Sequence, residues 1–298
     1  AQGGFETTIP GVYLLDYIDI PESAQSQKDD FISWTAGLSK SLTSDINIYG
    51  KIARGFKEGG YSFRPQSTAA IGGDINNPQI DFGREEVTSY EFGMKSDLLD
   101  RRMRLNLALF YLDYKDIQSL VVDDNGVNRV VNGPTATSQG VEAEVRYRLT
   151  EAITLKGVVG YADATFGEFI NCHAVDDCSD NQLPGAPKWT SNLSVNYLST
   201  LNENWDFFGG VDYSFRSETQ SSARNLAATE LDSSSIVNAQ LGTVSSDGAW
   251  EVMLWTKNLF DDESKVVRTN SETSQLSFSE SLYAIPRTFG VSVTYSFM

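Results

Sequence analysis

Apolar and polar residues alternate with a period of two along much of this chain. The alternation is cleanest in the last stretch, Arg287–Met298, which reads R-T-F-G-V-S-V-T-Y-S-F-M. Phe289, Val291, Val293, Tyr295 and Phe297 fall on one face, and Gly290, Ser292, Thr294 and Ser296 on the other. Strict alternation of this kind predicts an extended strand with one apolar face. Aromatic rings close both ends of the apolar row and aliphatic side chains fill its middle. A strand that crosses a bilayer needs this order, with hydrocarbon contact at the centre and amphipathic rings at the two interfaces. A strand of a soluble sandwich with one wet face also alternates, so repetition along the rest of the chain has to decide between them.

From Phe31 onward the pattern repeats as strand, short turn, strand, long polar loop. Ile32, Trp34, Ala36 and Leu38 alternate, then a turn at Thr43-Ser44-Asp45, then Ile46, Ile48 and Ile52, then a loop over roughly Lys57–Arg84. Tyr90, Phe92 and Met94 precede a turn at Leu99-Asp100-Arg101, followed by Met103, Leu105, Leu107, Leu109 and Tyr111, with a loop around Asp123–Thr135. Val141 to Leu149 turn at Thr150-Glu151-Ala152 into Ile153, Leu155, Val159 and Tyr161, and the next loop is about Gly167–Pro187. Trp189 to Tyr197 turn near Asn202-Glu203-Asn204 into Trp205 to Phe215, before a Ser/Thr/Ala-rich loop over about Ser217–Ser234. Val237, Ala239 and Leu241 turn at Ser246-Asp247-Gly248 into Trp250, Val252 and Leu254, with a loop to about Ala284 and then the terminal strand. This predicts about eleven strands, twelve if Val12–Ile20 adds one. Keeping every short turn at one end and every long loop at the other is the mark of an antiparallel up-and-down transmembrane β-barrel. The opposite faces agree: Glu142, Glu144, Arg146 and Arg148 line one strand, and Thr190, Asn192, Ser194 and Asn196 another, as a water-filled lumen requires.

Composition narrows the function. A net charge of −17 over 298 residues argues against nucleic acid as a partner. No stretch approaches the roughly 18 consecutive apolar residues of a helical span, which is no argument against strands that turn every second residue to a polar lumen. The chain opens Ala-Gln-Gly-Gly, without initiator Met or signal peptide, and is expected to be a processed chain or a fragment. Cys172 and Cys178 are its two cysteines. A close pair in a polar loop reads as a loop-closing disulfide in an oxidising compartment. A metal site with His173, Asp176 and Asp177, or two free thiols, are the alternatives. His173 is also the one histidine, with no Ser or Asp pair at a plausible strand end, so no catalytic residues, and no enzyme, are expected.

Several stretches resemble the C-terminal part of the barrel of a TonB-dependent outer-membrane receptor. They are Ile48–Tyr61, with Tyr49, Gly55-Phe56 and Gly59-Gly60; Glu86–Lys95; Asn106–Ile117; Ser138–Glu144; Pro184–Trp189; Lys257-Asn258-Leu259-Phe260-Asp261; and the terminal strand. They run in the family's order from about residue 31 to the end. Met298 departs from the family's usual aromatic terminus. The resemblance implies the outer membrane of a Gram-negative bacterium, contact with its lipid, and active uptake of a scarce large solute, most commonly a ferric siderophore. It also implies an energy-coupling partner, TonB, and recognition of Phe289–Phe297 by the barrel-assembly machinery. No cofactor is implied. Candidate ligand contacts are the cationic and aromatic loop residues Lys57, Tyr61, Arg64, Arg216, Arg224 and Arg268. A passive outer-membrane porin is the alternative function. Family barrels have about 22 strands and a plug domain with a coupling box. Neither plug nor box is recognisable here, so residues 1–298 are expected to form a C-terminal portion of the barrel, as a curved open sheet or one closed with poor pairing.

Overall fold

The computed structural model describes residues 30–61, 81–122, 128–170, 172, 176–271 and 278–297. Val12–Ile20, Arg64 and His173 lie outside them. Eleven strands form one antiparallel sheet: β1 (Trp34–Ser41), β2 (Ile46–Lys57), β3 (Glu85–Leu98), β4 (Met103–Lys115), β5 (Ala136–Arg148), β6 (Ile153–Phe166), β7 (Trp189–Asn202), β8 (Trp205–Arg216), β9 (Ser234–Ser245), β10 (Trp250–Lys257) and β11 (Thr288–Tyr295). Each pairs with its neighbours in sequence order, and among the described residues β1 and β11 pair on one side only. Among the described residues the sheet is therefore open at both edges.

Register puts mostly like with like, Val158 being an apolar residue in an otherwise polar row. Met94, Leu107, Ala143 and Val159 form one cross-strand row, and Lys95, Asn106, Glu144 and Val158 the next. The apolar face stays uncovered: Leu109 is 57% exposed and Val195 48%. A contiguous apolar surface of this extent is not left to water, and it fits lipid. Aromatic residues bound the band at both ends. Tyr90 packs on Tyr111 at 6.2 Å and Tyr161 on Trp189 at 4.9 Å towards the long loops, while Trp250 packs on Tyr295 at 4.6 Å beside a short turn. Trp189 and Tyr197 mark the two girdles on β7. Eight residues at roughly 3.4 Å each, tilted by about 40°, give about 20 Å of membrane normal, close to the ~25 Å apolar band of such barrels.

The short turns are held by their own side chains. Thr150 Oγ1 accepts from the N–H groups of Ala152 and Ile153 at 3.2 and 3.0 Å. Asn202 Oδ1 accepts from Asn204 N–H, and Asp247 Oδ1 from Ala249 N–H, both at 2.9 Å. Gly248 takes the left-handed φ of 73° that this last reversal needs.

The long loops are less irregular than their composition suggests. Four two-stranded ribbons rise from them: Gly60–Tyr61 with Asp81–Phe82, Gln118–Val122 with Asn128–Asn132, Thr219–Gln220 with Glu230–Leu231, and Lys265–Ser271 with Phe278–Tyr283. The stretches expected as plain loops after Asp123 and before Ala284 thus contain hairpins, because backbone groups beyond the rim still need partners. The buried apolar cluster also lies here, at the loop end of the sheet: Ala136 and Phe166 from the ends of β5 and β6, with Phe169, Cys172 and Cys178 from the loop above them.

The two faces make a testable contrast on β4. Leu107 is on the apolar face, while Asn106 donates to Glu144 Oε2 at 3.0 Å on the polar one. In urea unfolding from lipid vesicles, Leu107→Arg is expected to cost about 2–4 kcal/mol near the midplane and Asn106→Arg much less. Equal costs at the two positions would reverse the face assignment.

Candidate functional site: the long-loop layer

The layer is organised around the loop between β6 and β7. Phe166, the last residue of β6, is 2% exposed and sits opposite Ala136 at the start of β5. Phe169 packs on it at 5.0 Å, and Gly167 N–H donates to Thr135 O at 2.7 Å, which folds the loop down onto the rim. Cys172 and Cys178 are joined as a disulfide, with Tyr114, Ile117, Leu183 and Ala223 packed around the cluster. The sulfurs bind each other, and Asp177 turns to Ser179, accepting its N–H at 2.9 Å. The Ser179 hydroxyl and N–H hold the Asp177 carboxyl below the usual carboxylate range. Among the described residues no group of His, Cys, Asp and Glu is placed to hold a metal.

From this hub the loops are stitched sideways. Asp176 pairs with Arg224 at 2.7 Å, Asn181 Nδ2 donates to Ala223 O at 2.9 Å, and Gly185 N–H donates to Gln220 O at 2.8 Å. Ser221 Oγ donates to Arg268 O at 2.6 Å, and Arg268 Nη1 reaches the carbonyls of Ala227 and Glu230 at 3.3 and 3.4 Å. Arg216 Nη2 donates to the carbonyls of Asp232 and Lys265 at 3.4 and 3.2 Å. Towards the other edge, Gln118 Nε2 donates to Glu58 O at 2.7 Å and Gly83 O at 3.1 Å, and Asn132 Nδ2 to Gly83 O at 2.9 Å and Asp116 O at 3.0 Å. All five long loops thereby form one connected layer.

Three of the expected ligand residues, Arg216, Arg224 and Arg268, serve as ties in this layer. Lys57 is exposed at the rim end of β2 and Tyr61 lies in the first ribbon. The structure does not bring these five together around one point. Four side chains that hold the layer escaped the sequence: Gln118, Asn132, Asn258 and Asp262. Two of these lie in or beside the Lys257–Asp261 motif, which was the available signal. Asn258 is 3% exposed; its Nδ2 donates to the carbonyls of Asp262 and Ile285 at 2.9 and 3.0 Å, and its Oδ1 accepts from Asp262 N–H at 2.8 Å.

Below the layer the inner wall is polar. Tyr49 donates to Glu91 Oε1 at 2.7 Å, Lys51 pairs with Glu91 Oε2 at 2.7 Å, and Trp255 Nε1 donates to Ser292 Oγ at 3.1 Å. Such a wall, mainly polar with a few aromatic rings, suits hydrated solutes.

Two outcomes follow for the layer. Unreduced protein should give no free thiol to an impermeant alkylating reagent, and reduction should expose two and speed tryptic cleavage after Arg224. Closing so short a loop is worth on the order of 2 kcal/mol, so the sheet itself should stay intact. Thiol labelling without reduction would contradict the bond. The second outcome concerns Asp262. Its burial pushes the carboxyl up, but hydrogen bonds from Ser264, Ser235 and Ser234 outweigh that and hold it below the usual range. A depressed folded pKa contributes stability above the unfolded value of about 3.9, lost as pH falls through the lower folded value. Hydrogen exchange at Ser235 and Ser264 N–H should therefore lose protection only in that acid window. Asp262→Asn should abolish the pH dependence.

The sequence profile described as TonB dependent receptor-like, beta-barrel matches residues 7–259. The metal-pseudopaline receptor CntO of Pseudomonas aeruginosa is 33% identical over 184 residues, 62% of this chain and 23% of that protein. The pesticin receptor of Yersinia enterocolitica is 28% identical over 171 residues, 56% of this chain and 23% of that one. In fold, the ferric yersiniabactin uptake receptor FyuA from Yersinia pestis superposes with a TM-score of 0.70 at 20% identity, covering 89% of this chain and 37% of that one. The siderophore receptor PiuA from Acinetobacter baumannii gives 0.63 at 19% identity, over 89% and 36%. The match thus spans about a quarter of the curated relatives' length. With the family profile covering most of the sequence and the sheet superposing on an arc of solved receptors, the chain belongs to the TonB-dependent receptor-like β-barrel family of the bacterial outer membrane.

Proposed function

We propose that these 298 residues are the C-terminal portion of the barrel of a receptor that takes up a scarce metal chelate of the siderophore type, driven by coupling to TonB. The carrying observation is the connected loop layer, anchored by Cys172–Cys178 and standing over a polar inner wall. A passive pore has no use for a roof of cross-tied loops, whereas a receptor needs a preformed outer surface to select its ligand. Relatives whose printed names are those of metal-chelate receptors support the substrate class. On this reading Lys57, Tyr61 and Arg64 meet the ligand, while Arg216, Arg224 and Arg268 set the shape of the surface. The acidic balance disfavours a highly anionic chelate, which the field of the chain would repel. The remaining strands complete the pairing of β1 and β11, and the assembly machinery reads Phe289–Phe297.

The test uses the full-length receptor in cells. Uptake of radiolabelled ferric or other metal chelates should fall on deleting its gene and collapse with a protonophore. Purified receptor in planar bilayers should be nearly silent. Steady ion conductance with uptake insensitive to the protonophore would favour a porin and overturn the reading.

A further inference from the structure

Asn132 ends the second strand of the ribbon that starts at Gln118, and lies directly opposite Gln118. Its side-chain amide joins that ribbon to the loop before β3. Nδ2 donates to Gly83 O at 2.9 Å and to Asp116 O at 3.0 Å, and Oδ1 accepts from Gly83 N–H. Both N–H donors of the amide are committed, which a carboxylate at this position could not match. The next position favours glycine for a different reason. A Cβ on Gly133 would lie 3.1 Å from Ile117 O, 3.2 Å from Ile117 Cγ2 and 3.3 Å from Ser119 Oγ. Two separate packing needs therefore set an exposed asparagine directly before a glycine.

That dipeptide carries a latent reaction. Asparagine is chemically labile, and glycine has no side chain to shield its own N–H or to restrict its backbone. Once the Gly133 nitrogen gives up its proton, it can attack Asn132 Cγ. The new N–Cγ bond forms, the Cγ–Nδ2 bond breaks, and Nδ2 leaves with that proton as ammonia. Water then opens the cyclic imide at either carbonyl, leaving an aspartate or an isoaspartate. Overall, water is consumed and ammonia released. In the closed layer the nucleophile is held back. Gly133 N–H donates to Ile117 O at 2.6 Å, and Ile117 N–H donates to Pro134 O at 3.3 Å. Asn132 is in extended strand, so ring closure also needs the backbone there to rotate. Ile117 in turn packs against the cluster of Phe166, Phe169 and the Cys172–Cys178 disulfide.

We propose that Asn132 is a deamidation site guarded by the disulfide cluster, and so a one-way latch in the loop layer. While Cys172 and Cys178 are joined, Ile117 stays seated and keeps the Gly133 nitrogen engaged. Opening the disulfide with a dithiol reductant loosens the cluster, and local opening then frees that nitrogen. The product cannot restore the tie. A carboxylate has no N–H for the Gly83 and Asp116 carbonyls, and its charge faces their oxygens. An isoaspartate also lengthens the backbone opposite Gln118 by one carbon. Re-forming the disulfide therefore leaves the ribbon detached from the loop before β3. The inference does not depend on which solute the receptor carries.

The test again uses the full-length receptor, purified in detergent, with every sample checked for folding by heat-modifiable gel mobility. Oxidised protein, and protein reduced and alkylated at its thiols, are incubated in mildly alkaline buffer. Mass spectrometry then scores the peptide holding Asn132. Conversion of amide to acid should be several-fold faster in the reduced sample, and likewise in Cys172→Ser/Cys178→Ser without reductant. Equal rates with the disulfide closed and open, or no conversion in either state, would overturn the proposal. Gly133→Ala should slow conversion in the reduced sample several-fold, and an unchanged rate would overturn the route through the residue 133 nitrogen. Asn132→Asp with the disulfide intact carries the product side chain. It should speed tryptic cleavage after Arg84 several-fold and leave cleavage after Arg224 at the wild-type rate. Wild-type cleavage after Arg84 would overturn the latch.

Discussion

Hydrocarbon offers a backbone N–H or C=O no partner, so a membrane-crossing strand is stable only with another strand on each side. The nine inner strands of this sheet satisfy that condition through continuous antiparallel ladders. The rest of the architecture follows from it. Sequential neighbours pair, so turns alternate between two ends. Because one end needs only to reverse the chain, side chains such as Thr150, Asn202 and Asp247 suffice there. The other end is free to grow loops. β1 and β11, each paired on one side among the described residues, are where the ladder calls for further strands.

Among the described residues no packed core lies beneath the sheet, and this changes where rigidity comes from. Barrel strands are held by ladders and lipid, but loops in water need their own. Here a disulfide, two phenylalanines and a set of ties to backbone carbonyls supply it. An exposed arginine in a loop is easily taken for a ligand contact. Arg216 and Arg268 show the competing use: a guanidinium has five donors and can satisfy several otherwise orphaned carbonyls at once. Once those donors are committed to loop carbonyls, what such a side chain presents outward is a fixed loop shape more than a free charge.

The motifs that carried the family resemblance have physical reasons in the register. Gly140 lies directly opposite Phe110, and a Cβ there would meet the Phe110 ring at 2.8 Å as well as the Tyr161 carbonyl. Gly290 lies opposite Trp255, and a Cβ would run into the indole. Both glycines are seats for aromatic rings on the inner wall. Asn258 occupies a left-handed φ of 49° and ties the end of β10 to the approach of β11, which explains an asparagine in the Lys257–Asp261 stretch.

Strand number, the two faces and the positions of short turns were legible in the sequence because each is a local property. Alternation is a period of two along one strand, and a Thr, Asn or Asp that reverses the chain acts on atoms two or three residues away. The apolar band from Leu105 to Tyr111 could be read without knowing its neighbours. The disulfide's burial, the tying of Asp176 to Arg224, and the roles of Gln118 and Asn132 could not be. The ties of Asp176, Gln118 and Asn132 join residues 16 to 60 positions apart in loops that have no periodicity to register them. Arg104, Arg146 and Lys156, which register sets side by side on β4, β5 and β6, show the boundary most clearly. Arg104, Arg146 and Lys156 each look like an ordinary lumen-facing charge on its own strand. Only the pairing of three strands sets them side by side, because cross-strand register is a long-range choice that no single strand's pattern contains.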